Sequence, residues 1–163
     1  MAVPRAGASQ AGASVDGASL GSTGSENLSF KSLEKRYAAA GYKASCDSKL
    51  VGDSGTVHGF SFSVCGKSGP PMVVADALFS PTEAKVLGFY AKSFDVKTKS
   101  AVLCVSPRLR ERPADLAKEY HLIVVESESP SDLPALLSKA IDKAVGLEKG
   151  TDECGDKPVS AAQ

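Results

Sequence analysis

Apolar and polar positions along the chain alternate with two different periods, and the switches between them mark its elements. Phe30, Leu33, Tyr37 and Ala40 recur at helical spacing and predict one face of a helix that Gly41 stops. Lys43–Lys49 reads as a short strand. From Val57 to Val64 the period drops to two: His58, Phe60, Phe62 and Val64 point one way, Gly59, Ser61 and Ser63 the other. Gly66-Lys67-Ser68-Gly69-Pro70-Pro71 supplies a turn, and Met72–Leu78 is a compact apolar strand interrupted by Asp76. Ser80-Pro81-Thr82-Glu83 predicts a helix start, with Ser80 as cap, Pro81 at the first helical position and Glu83 completing a capping box. The buried stripe expected of that helix is Val86, Leu87, Tyr90 and Phe94. Ala101–Val105 predicts a strand, Pro113–Tyr120 a short helix carrying Leu116 and Ala117, and Leu122–Val125 another strand. Asp132–Val145 predicts a closing helix that buries Leu133, Leu136, Leu137, Ala140, Ile141 and Ala144.

The resulting order, α-β-β-β-α-β-α-β-α, predicts an α/β fold with a mixed central sheet flanked by helices on both faces. At 163 residues the chain has room for one ordinary domain and its tails. Residues 1–27 form a Gly/Ala/Ser-rich tail in which GASQA, GASVD and GASLG follow one another. Such a composition buries too little apolar area to offset the entropy of ordering. The domain is expected over residues 28–149 and a second polar tail over 150–163.

Basic and acidic residues balance at 19 each, so net charge selects no partner. Their distribution is more useful: residues 28–149 hold 17 Lys and Arg against 14 Asp and Glu. Cys46, Cys65, Cys104 and Cys154 form no C-x-x-C pair and no zinc-like spacing with His58 or His121. Cys65 and Cys104 fall in or beside apolar strand patterns, where a reduced cysteine acts as a small hydrophobe. No run approaches the ~20 apolar residues of a membrane span, and the N-terminus lacks the apolar core of a secretory signal. The expected setting is soluble and cytoplasmic, without a membrane partner.

The stretch from Gly52, GDSGTVHGFSFSV, followed by PPMVVADALF from Pro70, resembles the middle of the restriction-endonuclease-like PD-(D/E)XK fold in its Mrr-like branch. A second likeness runs from Val105-Ser106-Pro107 through Leu116-Ala117 and Tyr120 to Ile123-Val124-Val125-Glu126. Together they cover residues 28–146 and imply the αβββαβ core of that family. The resemblance also implies where a metal site would stand. Working members carry an Asp directly after the Phe at position 60 and a Glu-x-Lys on the next strand. This chain has Ser61 in the first place and Asp76-Ala77-Leu78 in the second. The family's acidic residue on the opening helix falls on Phe30, with Glu34 on a different helical turn.

Metal-dependent phosphodiester cleavage needs several hard oxygen ligands at one edge of the central strands, and a Lys to assist. One carboxylate of three, with Leu78 in place of the Lys, is too few. The expected function is therefore a non-catalytic nuclease-fold protein, a pseudo-nuclease acting as a nucleic-acid-associated or interaction module, with no cofactor. The alternative is a divergent Mg2+-dependent DNA endonuclease with relocated ligands, for which Asp47, Asp53 and Asp76 are the best carboxylates. The residual-site residues are then Asp76, Asp53, Ser61 and His58, although Asp53 beside Gly and Ser also reads as turn chemistry and His58 as a hydrogen-bonded structural residue.

Two short strings point elsewhere only by their letters. Gly52-Asp53-Ser54-Gly55 resembles the surroundings of a serine-protease nucleophile, but no His precedes it, and a Gly-rich turn is the better reading. Gly66-Lys67-Ser68 lacks the earlier Gly of a phosphate-binding loop, and Pro70-Pro71 bars the helix that should follow. The remaining functional signal is basic. Lys85, Lys92, Lys97, Lys99, Arg108, Arg110 and Arg112 stand against only Asp95 and Glu111 over the same stretch. Such a cluster neutralises phosphates. Base stacking is not expected of it, and recognition should be weakly sequence-specific. The expected partners are nucleic acid and a second copy of the chain, the latter through the closing helix or a sheet edge.

Overall fold

The computed structural model describes residues 30–147, and the two tail assignments lie outside them. The elements are α1 (Lys31–Ala39), β1 (Lys43–Val51), β2 (Val57–Cys65), β3 (Pro71–Phe79), α2 (Glu83–Asp95), β4 (Ser100–Ser106), α3 (Glu111–Glu119), β5 (Ile123–Glu126) and α4 (Leu133–Val145), with a 3-10 turn at Pro130–Asp132. The strands lie in the order β1-β2-β3-β4-β5. β1–β2 and β2–β3 are antiparallel, whereas β3–β4 and β4–β5 are parallel. The fold is α/β around a five-stranded mixed sheet, in the element order read from the sequence.

Two crossovers in the same direction along the sheet place α2 and α3 on one face, as connections of the same hand do. One core fills the space under them, with Val74, Val86, Phe89, Leu103, Val105 and Ala117. The other face carries α1 and α4 over Phe62, Val64, Val73, Val102, Cys104, Leu137 and Ile141. A polar seam joins the two outer helices: Tyr37 Oη lies 2.9 Å from Asp142 Oδ1 and 3.0 Å from the Ser138 carbonyl, and Arg36 pairs with Asp142 at 2.6 Å. Burial, and after it the Asp142 carboxylate, push the Tyr37 hydroxyl up to about 12. No helix among the described residues is long and apolar enough to cross a membrane.

Three sequence expectations are corrected. The cap of α2 is Thr82, whose side chain accepts from the Lys85 backbone N–H; Ser80 instead adopts a left-handed backbone with φ of 54°. The helix therefore begins two residues later than the capping-box pattern implied. Its buried stripe is Val86, Phe89 and Ser93, while Leu87 is partly exposed and Phe94 is 72% exposed. The third concerns β2. Phe60 packs in the core beneath α2, but Phe62 and Val64 pack in the core beneath α1 and α4.

The cause of that switch is visible in the pairing. β2 pairs with β3 only from Phe62 to Cys65, while it pairs with β1 from Val57 to Cys65, interrupted at Ser61. At Asp47, across from Ser61, β1 takes φ of 46°, and Cys46 and Leu50 on either side of it serve opposite cores. The outer half of the β1–β2 hairpin thus peels away from β3 and turns Phe60 towards Phe89, ring to ring at 6.4 Å. Strict alternation cannot survive such a break in the pleat.

Candidate functional site

Asp76 sits where β2 leaves β3. Val74, Asp76 and Leu78 share one side of β3, the side facing α2. The Asp76 carboxylate takes over the ladder position that β2 vacates: the Ser61 backbone N–H donates to Asp76 Oδ1 at 2.9 Å, and the Ala77 N–H donates to Ser61 Oγ at 3.2 Å. The structure therefore brings together Ser61 and Asp76, two of the four residual-site residues. It also brings in a lysine. Lys92 of α2 forms an ion pair with Asp76 through the carboxylate's second oxygen, donates to the Gly59 carbonyl at 2.7 Å, and lies 4.7 Å from the centre of the Phe60 ring. Asp47, Ser48, Lys49, Gly59, Phe60 and Ser61 complete an open cleft of about 690 Å³ around this pair. Ser48 Oγ is buried there without a hydrogen-bond partner.

As a metal site the cleft is poorly equipped. A hard divalent ion takes six or more oxygens at short range. The cleft offers the carboxylates of Asp47 and Asp76, and Asp76 is already held by Lys92 and Ser61. Among the described residues no three His, Cys, Asp or Glu side chains converge. Glu34 stands on α1, across the sheet, beside Cys46.

His58 and Asp53 belong to a separate constellation. His58 Nε2 lies 2.6 Å from Asp95 Oδ2, and Ser54 donates to Asp95 twice, through its hydroxyl at 2.7 Å and its backbone N–H at 3.0 Å. The Asp53 N–H reaches the Asp95 carbonyl at 2.9 Å, and its side chain pairs with Lys97. Asp95 at the end of α2 thus clasps the β1–β2 hairpin. The donated bonds from Ser54, then His58, hold its carboxyl down at about 2. A protease-like relay would need the histidine between the serine and the aspartate. Here the aspartate is in the middle, so the serine gains no base. Gly52-Asp53-Ser54-Gly55 is the turn that the sequence predicts.

The basic residues scatter except for the arginines. Lys85 caps the carbonyls of Phe79 and Ser80, at 3.1 and 3.4 Å, and Lys92 and Lys97 are paired with acids. Lys99 lies at the start of β4, at the opposite end of the sheet from the arginines. Arg108, Arg110 and Arg112 line a cleft of about 640 Å³ just beyond the carboxyl ends of β3 and β4, together with Thr82 and Glu83 of the α2 start. Arg108 pairs with Glu128 at 3.3 Å and Arg112 approaches Glu83 at 3.8 Å, both in the open; Arg110 forms no ion pair among the described residues. Arg110 also precedes α3 as its cap residue, with no side chain satisfying the first amide groups. Glu83 and Glu111 also line the cleft, so its three guanidinium groups share it with two carboxylates.

Sequence reasoning missed the part Lys92 plays, because it sought the lysine on the strand with Asp76 and not on a helix packed above it. No family model and no curated protein matches this chain. Among solved structures it is similar to a protein of unknown function, AF1548, with a TM-score of 0.48 and 13% identity over 70% of this chain and 67% of that one.

Proposed function

We propose that this chain is a non-catalytic, nucleic-acid-associated module built on a restriction-endonuclease-like scaffold, contacting phosphates through the arginine cleft. The observation that carries this reading is that Arg108, Arg110 and Arg112 line one cleft just beyond the carboxyl ends of adjacent parallel strands, on a connecting segment of the kind that often carries binding residues. The Asp76 cleft supports the non-catalytic half. Its one carboxylate on the central strand is neutralised by Lys92 and serves as a strand connector. Equilibrium binding of a labelled oligonucleotide tests the reading: Arg110→Ala should weaken it severalfold, and wild-type-like affinity in that variant would remove the arginine cleft from the account.

A second reading, a metal-dependent endonuclease with relocated ligands, draws on Asp47 and Asp76 lining one cleft with Lys92. Magnesium- or manganese-dependent nicking of plasmid DNA, abolished by Asp76→Asn, would favour it over the first.

A further inference from the structure

The β1–β2 hairpin is broken at one level on both of its strands. Asp47 takes its left-handed backbone there; opposite it, Ser61 drops out of the pairing with β1 and precedes the first β2 residue that pairs with β3. Beyond that line, the segment from Ser48 to Phe60 is tied to the body through α2. Apart from the β1–β2 ladder, every hydrogen bond and ion pair that leaves it among the described residues ends on Lys92, Asp95 or Lys97. Asp95 takes most of them, two from Ser54 and one from His58 on its carboxylate and one from the Asp53 N–H on its carbonyl. Little apolar surface adds to these ties. Only Leu50 and Phe60 of the segment join a core, while Val51 and Val57 are exposed.

We propose that residues 48–60 form a hinged flap, latched to α2 by Asp95, whose opening as a unit gates the cleft around Asp76 and Lys92. The break at Asp47 and Ser61 is the hinge, since a change of backbone angles there moves the outer hairpin without disturbing the paired half of β2. The cleft must change with the flap, because Ser48, Lys49, Gly59 and Phe60 line it from the hairpin while Asp76 and Lys92 line it from the body. Ser48 favours the open position. Its hydroxyl is buried in the closed one without a partner among the described residues, and opening returns it to water. A segment held by a few polar ties and two apolar side chains is the kind that opens below the free energy of global unfolding. The inference concerns the Asp76 cleft and stands apart from the nucleic-acid reading of the arginines.

Native-state hydrogen exchange of the full chain, read by mass spectrometry at low urea, tests it. Amides of the outer hairpin should exchange at a rate that urea barely changes, because the opening exposes little surface, while those of β4 should follow the urea dependence of global unfolding. Asp95→Asn should speed the hairpin about tenfold, the loss of roughly one charge-assisted hydrogen bond, and leave the urea-independent exchange elsewhere unchanged. Arg36→Ala, which cuts the α1–α4 seam far from the latch, should leave the hairpin's urea-independent exchange as it is. Access to the cleft is read by alkylation of Ser48→Cys, mapped by mass. That thiol should react faster when Asp95→Asn is added. Hairpin amides that exchange only through global unfolding in the wild type overturn the flap. Equal acceleration of hairpin and β4 by Asp95→Asn overturns the latch. A faster hairpin with unchanged alkylation at position 48 overturns the gating.

Discussion

Lys92 reaches down from α2 to pair with Asp76 on β3, at the point where β2 separates from its neighbour. The pair is partly sheltered, with side-chain exposures of 23% and 12%. It joins a helix, a strand and the base of a peeled hairpin, and its removal should be felt by all three. Asp76→Ala leaves the Ser61 N–H without its acceptor and the Lys92 ammonium without its counter-ion, with only the Gly59 carbonyl still accepting from it. The expected loss is about 2–3 kcal/mol, below the full cost of orphaning a buried charge because the cleft is open. Urea unfolding should show a lower midpoint at unchanged slope. Asp76→Asn, which still accepts from Ser61, should lose less.

The clasp at Asp95 makes the hairpin acid-sensitive. Its carboxyl is depressed from 3.8 to about 2 by Ser54 and His58. A depressed acid contributes stability that is present above its unfolded value and is lost as pH falls through its folded value. The wild type should therefore lose stability relative to Asp95→Asn between about pH 4 and pH 2. Parallel stability curves for the two proteins across that window would contradict the assignment.

Position 52 accepts only glycine for a reason of space. A Cβ there would land inside the Asp95 carboxylate, displacing the group that Ser54 and His58 hold. Gly52→Ala should cost about 1–3 kcal/mol, as overpacking usually does. It should also abolish the acid-dependent difference between the wild type and Asp95→Asn, when tested in both backgrounds.

Cys104 should be chemically silent in the native protein. It is fully buried in the core beneath α1 and α4, and burial pushes its thiol up to about 12. The reactive thiolate is then negligible at neutral pH. Mass-spectrometric mapping after brief alkylation should find Cys104 modified only in denaturant.

The order of elements was legible because each strand and helix carries its own period. The side-chain phases were less so. In α2 the apolar letters Leu87 and Phe94 advertise a stripe about one residue away from the real one, since Ser93 is buried through a bond from its hydroxyl to the Tyr90 carbonyl. In β2 the run from Phe60 to Val64 looks uniform, yet the backbone break at Asp47 and Ser61 sends its two phenylalanines to opposite cores. Asp76 could be singled out from sequence as a polar interruption of an apolar strand, and Ser61 through the family resemblance, where it stands in the place of an Asp. Their partner Lys92 could not, because a long side chain from another element leaves no spacing to read. The Tyr90–Tyr120 stack is invisible for the same reason: one member lies in α2 and the other just past the end of α3.

If the cleft of Arg108, Arg110 and Arg112 contacts nucleic-acid phosphates as proposed, oligonucleotide affinity falls steeply with salt. Each phosphate neutralised contributes about −0.7 to −0.9 to the slope of log affinity against log salt. The wild type should show a slope of about −2 to −3, and the triple Arg→Ala variant should lose both the slope and most of the affinity. A wild-type affinity indifferent to salt, or a triple variant that binds as tightly as the parent, would contradict the account.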